Sequence, residues 1–335
     1  MRIPKNLLMA SVSGIALAIA APAAMAADLS ARPAIASPPP PPSPWTWWIE
    51  GGGQAIAGAN PYVFGFTTPA KAPAEYWGWN AAIGLDYRLD AFWHVSADFR
   101  YGQNAKRGSN SFPRAVFGVP TTGSPPGTAE QTIKGTNSAN HEEYNWVADF
   151  MVGRDIGLGG GQSQLKFGVR VAEIRGKTTG SAAWSVPTST RSCSPSTCVF
   201  TRHTVSYQQT NRFLGAGPRL AVEGSAPVEG AWFVDYMGGI AALYARRSVE
   251  QTATTGSALC LAGCPGNFNS ASNGFVFNAD GMVGVGYAFG PSTKLSLNYR
   301  VDAYFDALRV VNSSNGVTNV NRIYHGPNLR LTVQY

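Results

Sequence analysis

From Trp45 onward the chain alternates apolar and polar residues with period two, one segment after another. Side chains of an extended strand point to opposite faces in turn, so each such segment predicts a β-strand with one apolar and one polar face. Ten segments read this way. In the first, Trp45, Trp47 and Ile49 oppose Thr46, Trp48 and Glu50; in the second, Trp77, Trp79, Ile83 and Leu85 oppose Asn80, Asp86 and Arg88. In the third, Trp93, Val95, Phe99 and Tyr101 oppose His94, Ser96, Asp98 and Arg100; the fourth sets Tyr144, Trp146, Phe150 and Val152 against Glu143 and Asp149. The fifth, sixth and seventh set Phe167, Leu214 and Trp232, each with its apolar companions, against Lys166 and Arg170, Arg219 and Glu223, and Asp235. In the sixth, Gly217-Pro218 interrupts the expected ladder, because proline lacks the donor. The eighth and ninth place Phe275, Phe277 and Tyr287 opposite Asp280, then Leu297, Tyr299 and Val301 opposite Arg300 and Asp302; the tenth, LRLTVQY, places Arg330 opposite Leu329 and Leu331.

One amphipathic strand does not say which solvent meets each face, but the connections do. Short joins, at Leu89-Asp90, GLGGGQS, GSAPVEG and GPST, alternate with long polar stretches at roughly residues 57–75, 104–140, 176–200, 246–272 and 306–321. Structureless loops beyond about 15 residues are uncommon in a compact soluble domain. Alternating short turns and long outer loops are instead the pattern of a bacterial transmembrane barrel, whose apolar face meets lipid. The expected fold is all-β: a single ten-stranded antiparallel transmembrane barrel over residues 45–335, with long extracellular loops, short periplasmic turns and both termini periplasmic. It must close, because an open sheet edge in hydrocarbon leaves backbone groups unpaired. Aromatic residues then fall into two belts at the headgroups. Trp45, Trp47, Trp93, Trp232, Tyr287 and Tyr335 lie at short-turn ends, and Trp77, Tyr101, Tyr144, Trp146 and Tyr244 at long-loop ends.

The first 26 residues read as a secretory signal: Arg2 and Lys5, an apolar run, then Ala24-Met25-Ala26 as a cleavage site. Residues 27–44, with the tract SPPPPPSP, form a stiff Pro-rich periplasmic segment ahead of the barrel. Beyond the leader no run of about 18 apolar residues occurs, so the sequence offers no helical span. Charged residues make up only 13% of the chain beside nine tryptophans and thirteen tyrosines, which favours a girdled barrel over a soluble enzyme. Cys193, Cys198, Cys260 and Cys264 sit among Ser, Pro, Gly and Thr. An even cysteine count in an exported chain predicts disulfides, and pairing within each loop is the simplest of three connectivities. A four-cysteine zinc site is disfavoured by the spacing and the oxidising compartment.

The stretch RFLGAGPRLAVEG from Arg212 to Gly224, with the strand AWFVDYMGGIAALYARR after it and ADFMVGRDIG before it, resembles the pore-forming outer-membrane barrels typified by the Legionella major outer membrane protein. The motif resemblance spans roughly residues 142–247. The AADLSARP leader, its proline tract and the Trp-rich first strand are similar to small α-proteobacterial outer-membrane barrels. The resemblance implies a Gram-negative outer-membrane location and porin-like passage, and brings no catalytic residues. The C-terminal alternation ending in Tyr335 looks like the signal that barrel-assembly machinery reads.

Candidate functional residues are the charges on the polar faces, expected to line the lumen: Glu50, Asp86, Arg88, Asp98, Arg100, Asp149, Lys166, Arg170, Arg219, Glu223, Asp235, Asp280, Arg300, Asp302 and Arg330. Eight strands leave room only for side chains and sixteen leave a channel; ten falls near the closed end. Two readings stay open. Either the lumen is a narrow hydrophilic pathway for small solutes or ions, or its charges form a closed structural network and the protein acts by loops that bind lipopolysaccharide or host surfaces. Removing Arg2 and Lys5 takes the formal net charge from +7 to +5, and the long polar stretches carry ten basic against four acidic residues. That places the excess at the outer mouth, where it leans toward anions and suits lipopolysaccharide phosphates.

An outer-membrane protease or lipid hydrolase is a weaker alternative. No protease or lipase motif surrounds His94, His141, His203 or His325; Glu142 and Glu143 are available beside His141, but adjacent residues point to opposite faces of a strand. No cofactor or metal signal is present, nucleic acid does not fit an exported barrel, and homo-oligomerisation is left open.

Overall fold

The computed structural model describes residues 44–57, 76–121, 127–157, 162–187, 200–255, 267–311 and 317–334. They form ten strands: β1 (Trp45–Ala57), β2 (Tyr76–Arg88), β3 (Trp93–Thr121), β4 (Gly127–Asp155), β5 (Gln162–Pro187), β6 (Phe200–Pro227), β7 (Trp232–Thr255), β8 (Phe268–Ala288), β9 (Thr293–Val311) and β10 (Val317–Gln334). Each strand pairs antiparallel with the next, and β1 pairs with β10 from Thr46↔Gln334 to Ala57↔Ile323, so the sheet is a closed barrel. Closure removes both edges, as hydrocarbon requires.

The molecule is inside-out relative to a soluble protein. Phe275 and Phe167 point outward, 68% and 63% exposed, with Trp77, Ile83, Phe150, Ile240 and Val283 around the same wall. Arg170 points inward and is 0% exposed. An uncovered apolar surface of this extent fits a lipid-facing wall.

The strands run further than the alternation alone indicates. Of the long polar stretches, 104–140, 176–200, 246–272 and 306–321 are for the most part ladder, not loop. The β3–β4 pairing continues from Trp93↔Arg154 to Thr121↔Gly127, and β5–β6 from Gln162↔Ser225 to Pro187↔Phe200. About ten residues suffice to cross the bilayer. Past it a strand no longer has hydrocarbon on one side, so Ser, Thr, Asn and Gln occupy outward positions and the apolar period fades while the backbone pairing persists. The stretch 58–75 between β1 and β2 lies outside the described residues.

Short turns close the other end. At β2–β3 the Asp90 carboxylate accepts the N–H groups of Phe92 and Trp93 at 2.7 and 2.8 Å, while Leu89 N–H donates to Trp93 O at 2.8 Å. Those two donors hold the Asp90 carboxyl below its usual range. At β6–β7 Gly230 supplies a φ of 60°, a conformation that side chains with a Cβ resist. At Pro218 the β6–β7 pairing lapses between Ala216↔Tyr244 and Arg219↔Ala241 with the register kept, and β6 itself stays continuous.

Candidate functional site

Strand parity sends all fifteen charged residues to the interior. Twelve line a cavity of about 670 Å³. Its rim is formed by Pro44, Pro291 and Gln334 at the short-turn end, and its deeper wall by Asp149, Arg170 and Arg219. The other three are tied to cavity-lining arginines: Glu50 pairs with Arg300 and Arg330, Asp280 with Arg170 and Arg219, and Asp302 with Arg100.

Near the rim, His94 Nδ1 lies 2.8 Å from Asp86 and its Nε2 3.2 Å from Asp155, which also meets Arg88 at 3.8 Å. Lys166 donates to Asp86 at 3.1 Å and pairs with Glu223; Lys294 pairs with Asp235 at 3.2 Å. Asp98 also lines the cavity, opposite Asp149 in the β3–β4 register. Two aromatic residues break the polar rule by pointing inward. The Arg330 guanidinium sits 4.0 Å from the centre of the Trp48 ring, and Lys294 Nζ 4.7 Å from that of Phe233. Trp48 has room only because residue 84 is glycine, where a Cβ would come within 2.3 Å of the indole.

Deeper in, the charges cross the lumen. Arg170 donates from Nε and Nη2 to both Asp149 oxygens, at 2.7 and 2.6 Å, and from Nη1 to Asp280 at 2.9 Å. Arg219 grips Asp280 from the other side, with Nη2 at 2.9 Å from Oδ2 and Nε at 3.4 Å from Asp149. Arg100 reaches Asp302 at 3.3 Å, and Asn278 donates to the same carboxylate at 2.6 Å. Three arginines and three aspartates thus make one connected layer, and fork-shaped guanidinium pairing fixes its geometry. Buried charges are tolerated only when paired this completely.

Beyond this layer the interior turns apolar, which the alternation did not indicate. Val147, Ile174, Phe213, Leu243, Val276, Tyr304, Leu308 and Val320 pack against one another across the barrel. Both faces of β7 are apolar here, as in GGIAALY, so the period of two carries no contrast and the inward set goes unread. Alongside lies a second cluster, composed mostly of residues the sequence reading passed over. Glu143 accepts Arg322 Nη2 at 2.6 Å and the Tyr324 hydroxyl at 2.7 Å, and His141 bridges Glu143 at 3.3 Å and Thr178 at 3.0 Å. Adjacency sets Glu142 on the opposite face from His141, but not Glu143, which lies two residues away on the same face. Continuing the alternation upstream from Asn328 through Gly326 to Tyr324 and Arg322 would have exposed the others. With Glu143, Asp155, Arg247, Lys294 and Arg322 added to the fifteen, these inward charges balance at ten acidic and ten basic.

Among the aromatic residues, Trp45 meets Tyr87 at 4.4 Å between ring centres and Trp232 meets Tyr287 at 5.2 Å near the short-turn end. Trp47 and Trp93 share that end. Toward the other end Trp79 meets Tyr101 at 5.6 Å, Phe99 stacks on Trp146 at 6.2 Å, Tyr244 meets Phe275 at 5.6 Å, and Trp77 packs on His325. Tyr144 lies beside Arg175, whose guanidinium is 5.9 Å from the ring centre. Tyr335 and the four cysteines, Cys193, Cys198, Cys260 and Cys264, lie outside the described residues, as do the signal and most of the Pro-rich segment. Among the described residues no group of three or more His, Cys, Asp or Glu is placed to hold a metal ion.

No curated protein sequence matches the chain. Among solved structures, the outer membrane protease OmpT from Escherichia coli has 10% identity and a TM-score of 0.42, covering 87% of this chain and 96% of its own. Neisserial surface protein A has 10% identity and a TM-score of 0.27, covering 88% and 100%. At such distances neither bears on what this chain does. The family described as Legionella pneumophila major outer membrane protein precursor matches residues 52–335, which takes in nearly the whole barrel. The chain therefore belongs to that family, and it is a protein of the Gram-negative outer membrane.

Proposed function

We propose that this barrel is closed at rest between a periplasmic vestibule and its outer mouth, serving as a non-catalytic structural barrel and not as an open diffusion porin. The observation that carries this is the succession of two sealing layers above the vestibule. The Arg100–Arg170–Arg219 layer is buried and fully paired with Asp149, Asp280 and Asp302, and the band around Phe213 and Leu243 offers a hydrated ion mainly apolar side chains, with the Tyr304 and Tyr324 hydroxyls already bonded to Asp302 and Glu143. The anion preference expected from the basic outer stretches has no counterpart inside, where the charges balance. The non-catalytic part is supported by the histidines: both ring nitrogens of His94 and of His141 are engaged in the interior network.

Planar-bilayer recording tests the closed state. Folded protein is expected to give no steady current at low voltage, and a double substitution that hollows the apolar layer, Phe213→Ala with Leu243→Ala, to add one. A steady ohmic current from the unaltered protein overturns the proposal.

A further inference from the structure

Just beyond the apolar band, the outward faces of β5, β6 and β7 carry one arginine each: Arg175, Arg212 and Arg246. All three side chains are exposed, and they adjoin. Arg175 pairs directly with Arg212 across the β5–β6 ladder, and Arg246 pairs with Leu214, two residues from Arg212. Cβ atoms of directly opposed residues lie about 4.5–5.5 Å apart, and like charges so placed repel. Glu173 is the carboxylate bonded to the patch. Arg212 Nε donates to Glu173 at 2.7 Å, and the Trp146 indole N–H donates to its other oxygen at 2.8 Å. Arg175 and Arg246 make no ion pair among the described residues. Glu142 and Glu250, also outward, stand further out, opposite Lys177 and Thr210, and make no ion pair with the three arginines among the described residues. The arginines therefore share one bonded carboxylate, with Tyr144 and Trp146 beside them and Leu214, Tyr244 and Phe275 in the lipid-facing rows beneath.

The opposite wall sharpens the point. Toward the same end, β10, β1 and β2 present His325, Gly53 and Trp77 outward, with no arginine among them. Solvent-facing loops would not need such asymmetry, and a wall that met only uncharged headgroups would not need three guanidinium groups.

We propose that the outward face of β4 to β7 is a docking site for lipopolysaccharide, with the guanidinium groups of Arg175, Arg212 and Arg246 taking the phosphates of its phosphorylated glucosamine headgroup. Arginine binds phosphate oxygens through two parallel N–H donors, and phosphate supplies the charge that the Arg175–Arg212 juxtaposition lacks. The acyl chains of the same molecule continue over Leu214, Tyr244 and Phe275. This inference rests on the outer-membrane location and is independent of whether the interior conducts.

The test compares binding of refolded protein in lipid nanodiscs to bisphosphorylated lipid A and to the same lipid stripped of phosphate. The unaltered protein is expected to prefer the phosphorylated lipid by about tenfold or more, and the triple substitution Arg175→Gln, Arg212→Gln, Arg246→Gln to abolish that preference. Arg154→Gln, near Trp93 at the periplasmic end, is expected to preserve it. Folding of each variant is checked by heat-dependent gel mobility. Should the triple variant fail to fold, Arg246→Gln alone, which breaks no ion pair among the described residues, is expected to reduce the preference severalfold. Equal binding of the two lipids by the unaltered protein, or an unchanged preference in the folded variants, overturns the proposal. A conducting barrel that keeps the preference would refute the sealed interior and leave this site standing.

Discussion

Arg170 and Arg212 sit on adjacent strands of one wall, and each pairs with a carboxylate, Asp149 at 2.6 Å and Glu173 at 2.7 Å. The first faces inward and is 0% exposed; the second faces outward with half its side chain accessible. Burial makes them different objects. Around Arg170 the dielectric is low, water is excluded and three carboxylates converge, so the pair is one bond in a network that stands or falls together. Around Arg212 solvent screens the pair, and its neighbours Arg175 and Arg246 add charge that Glu173 does not balance. Two arginines of the same fold thus support a seal in one place and a binding surface in the other.

The largest expected effect follows from removing the inner member. Arg170→Ala leaves Asp149 and Asp280 with part of their compensation gone, in a place water does not reach. Truncating one partner of a buried ion pair typically costs about 3–5 kcal/mol, and a loss in that range is expected from urea unfolding in detergent micelles. A loss below about 1 kcal/mol would mean that the interior is wet and that Arg170 resembles Arg212 after all. Second in size is Leu243→Ala in the apolar layer. Leu243 is fully buried, and leucine-to-alanine changes in packed interiors cost about 2–5 kcal/mol, depending on how far the site collapses. A near-zero change in the same unfolding measurement would show that the apolar layer is not packed.

Much of this contrast was legible before any coordinates. The period of two assigns Arg170 inward and Phe167 outward with no further information, because a strand's geometry fixes which face each residue takes once one face is known. The ten strands followed from the same rule. It failed where its premise failed. At Leu243 and Phe213 both faces are apolar, and along β4 at TNSAN and β5 at KTTGS nearly every residue is polar or small, so no contrast marks the period and ladder reads as loop. The Glu143–Arg322 pair joins residues 179 positions apart, and closure of β10 against β1 brings them together, which no local pattern encodes. The arginine patch was missed for a related reason. Arg175 and Arg246 break the outward apolar rule of their own strands, Arg246 falling in a long polar stretch and Arg175 just short of one, and only the cross-strand register shows that they adjoin.

The smallest effect is the most direct measure of the comparison. A double-mutant cycle on Arg212→Ala and Glu173→Gln is expected to give a coupling of about 0.2–1 kcal/mol, the range of exposed pairs. The coupling should shrink as salt rises from 0.01 to 1 M, since the screening length falls from about 30 to about 3 Å over that span. The equivalent cycle on Arg170 and Asp149 should be both larger and nearly indifferent to salt, because ions do not enter the layer. If the outer cycle were instead as large and as salt-insensitive as the inner one, Glu173 would be fully committed to Arg212 in a dry environment. The patch would then be an ordinary structural pair and poorly placed to receive a phosphate. A weak, salt-sensitive coupling leaves the guanidinium free to exchange its carboxylate for a lipid anion, which is the condition that lipopolysaccharide docking on this wall requires.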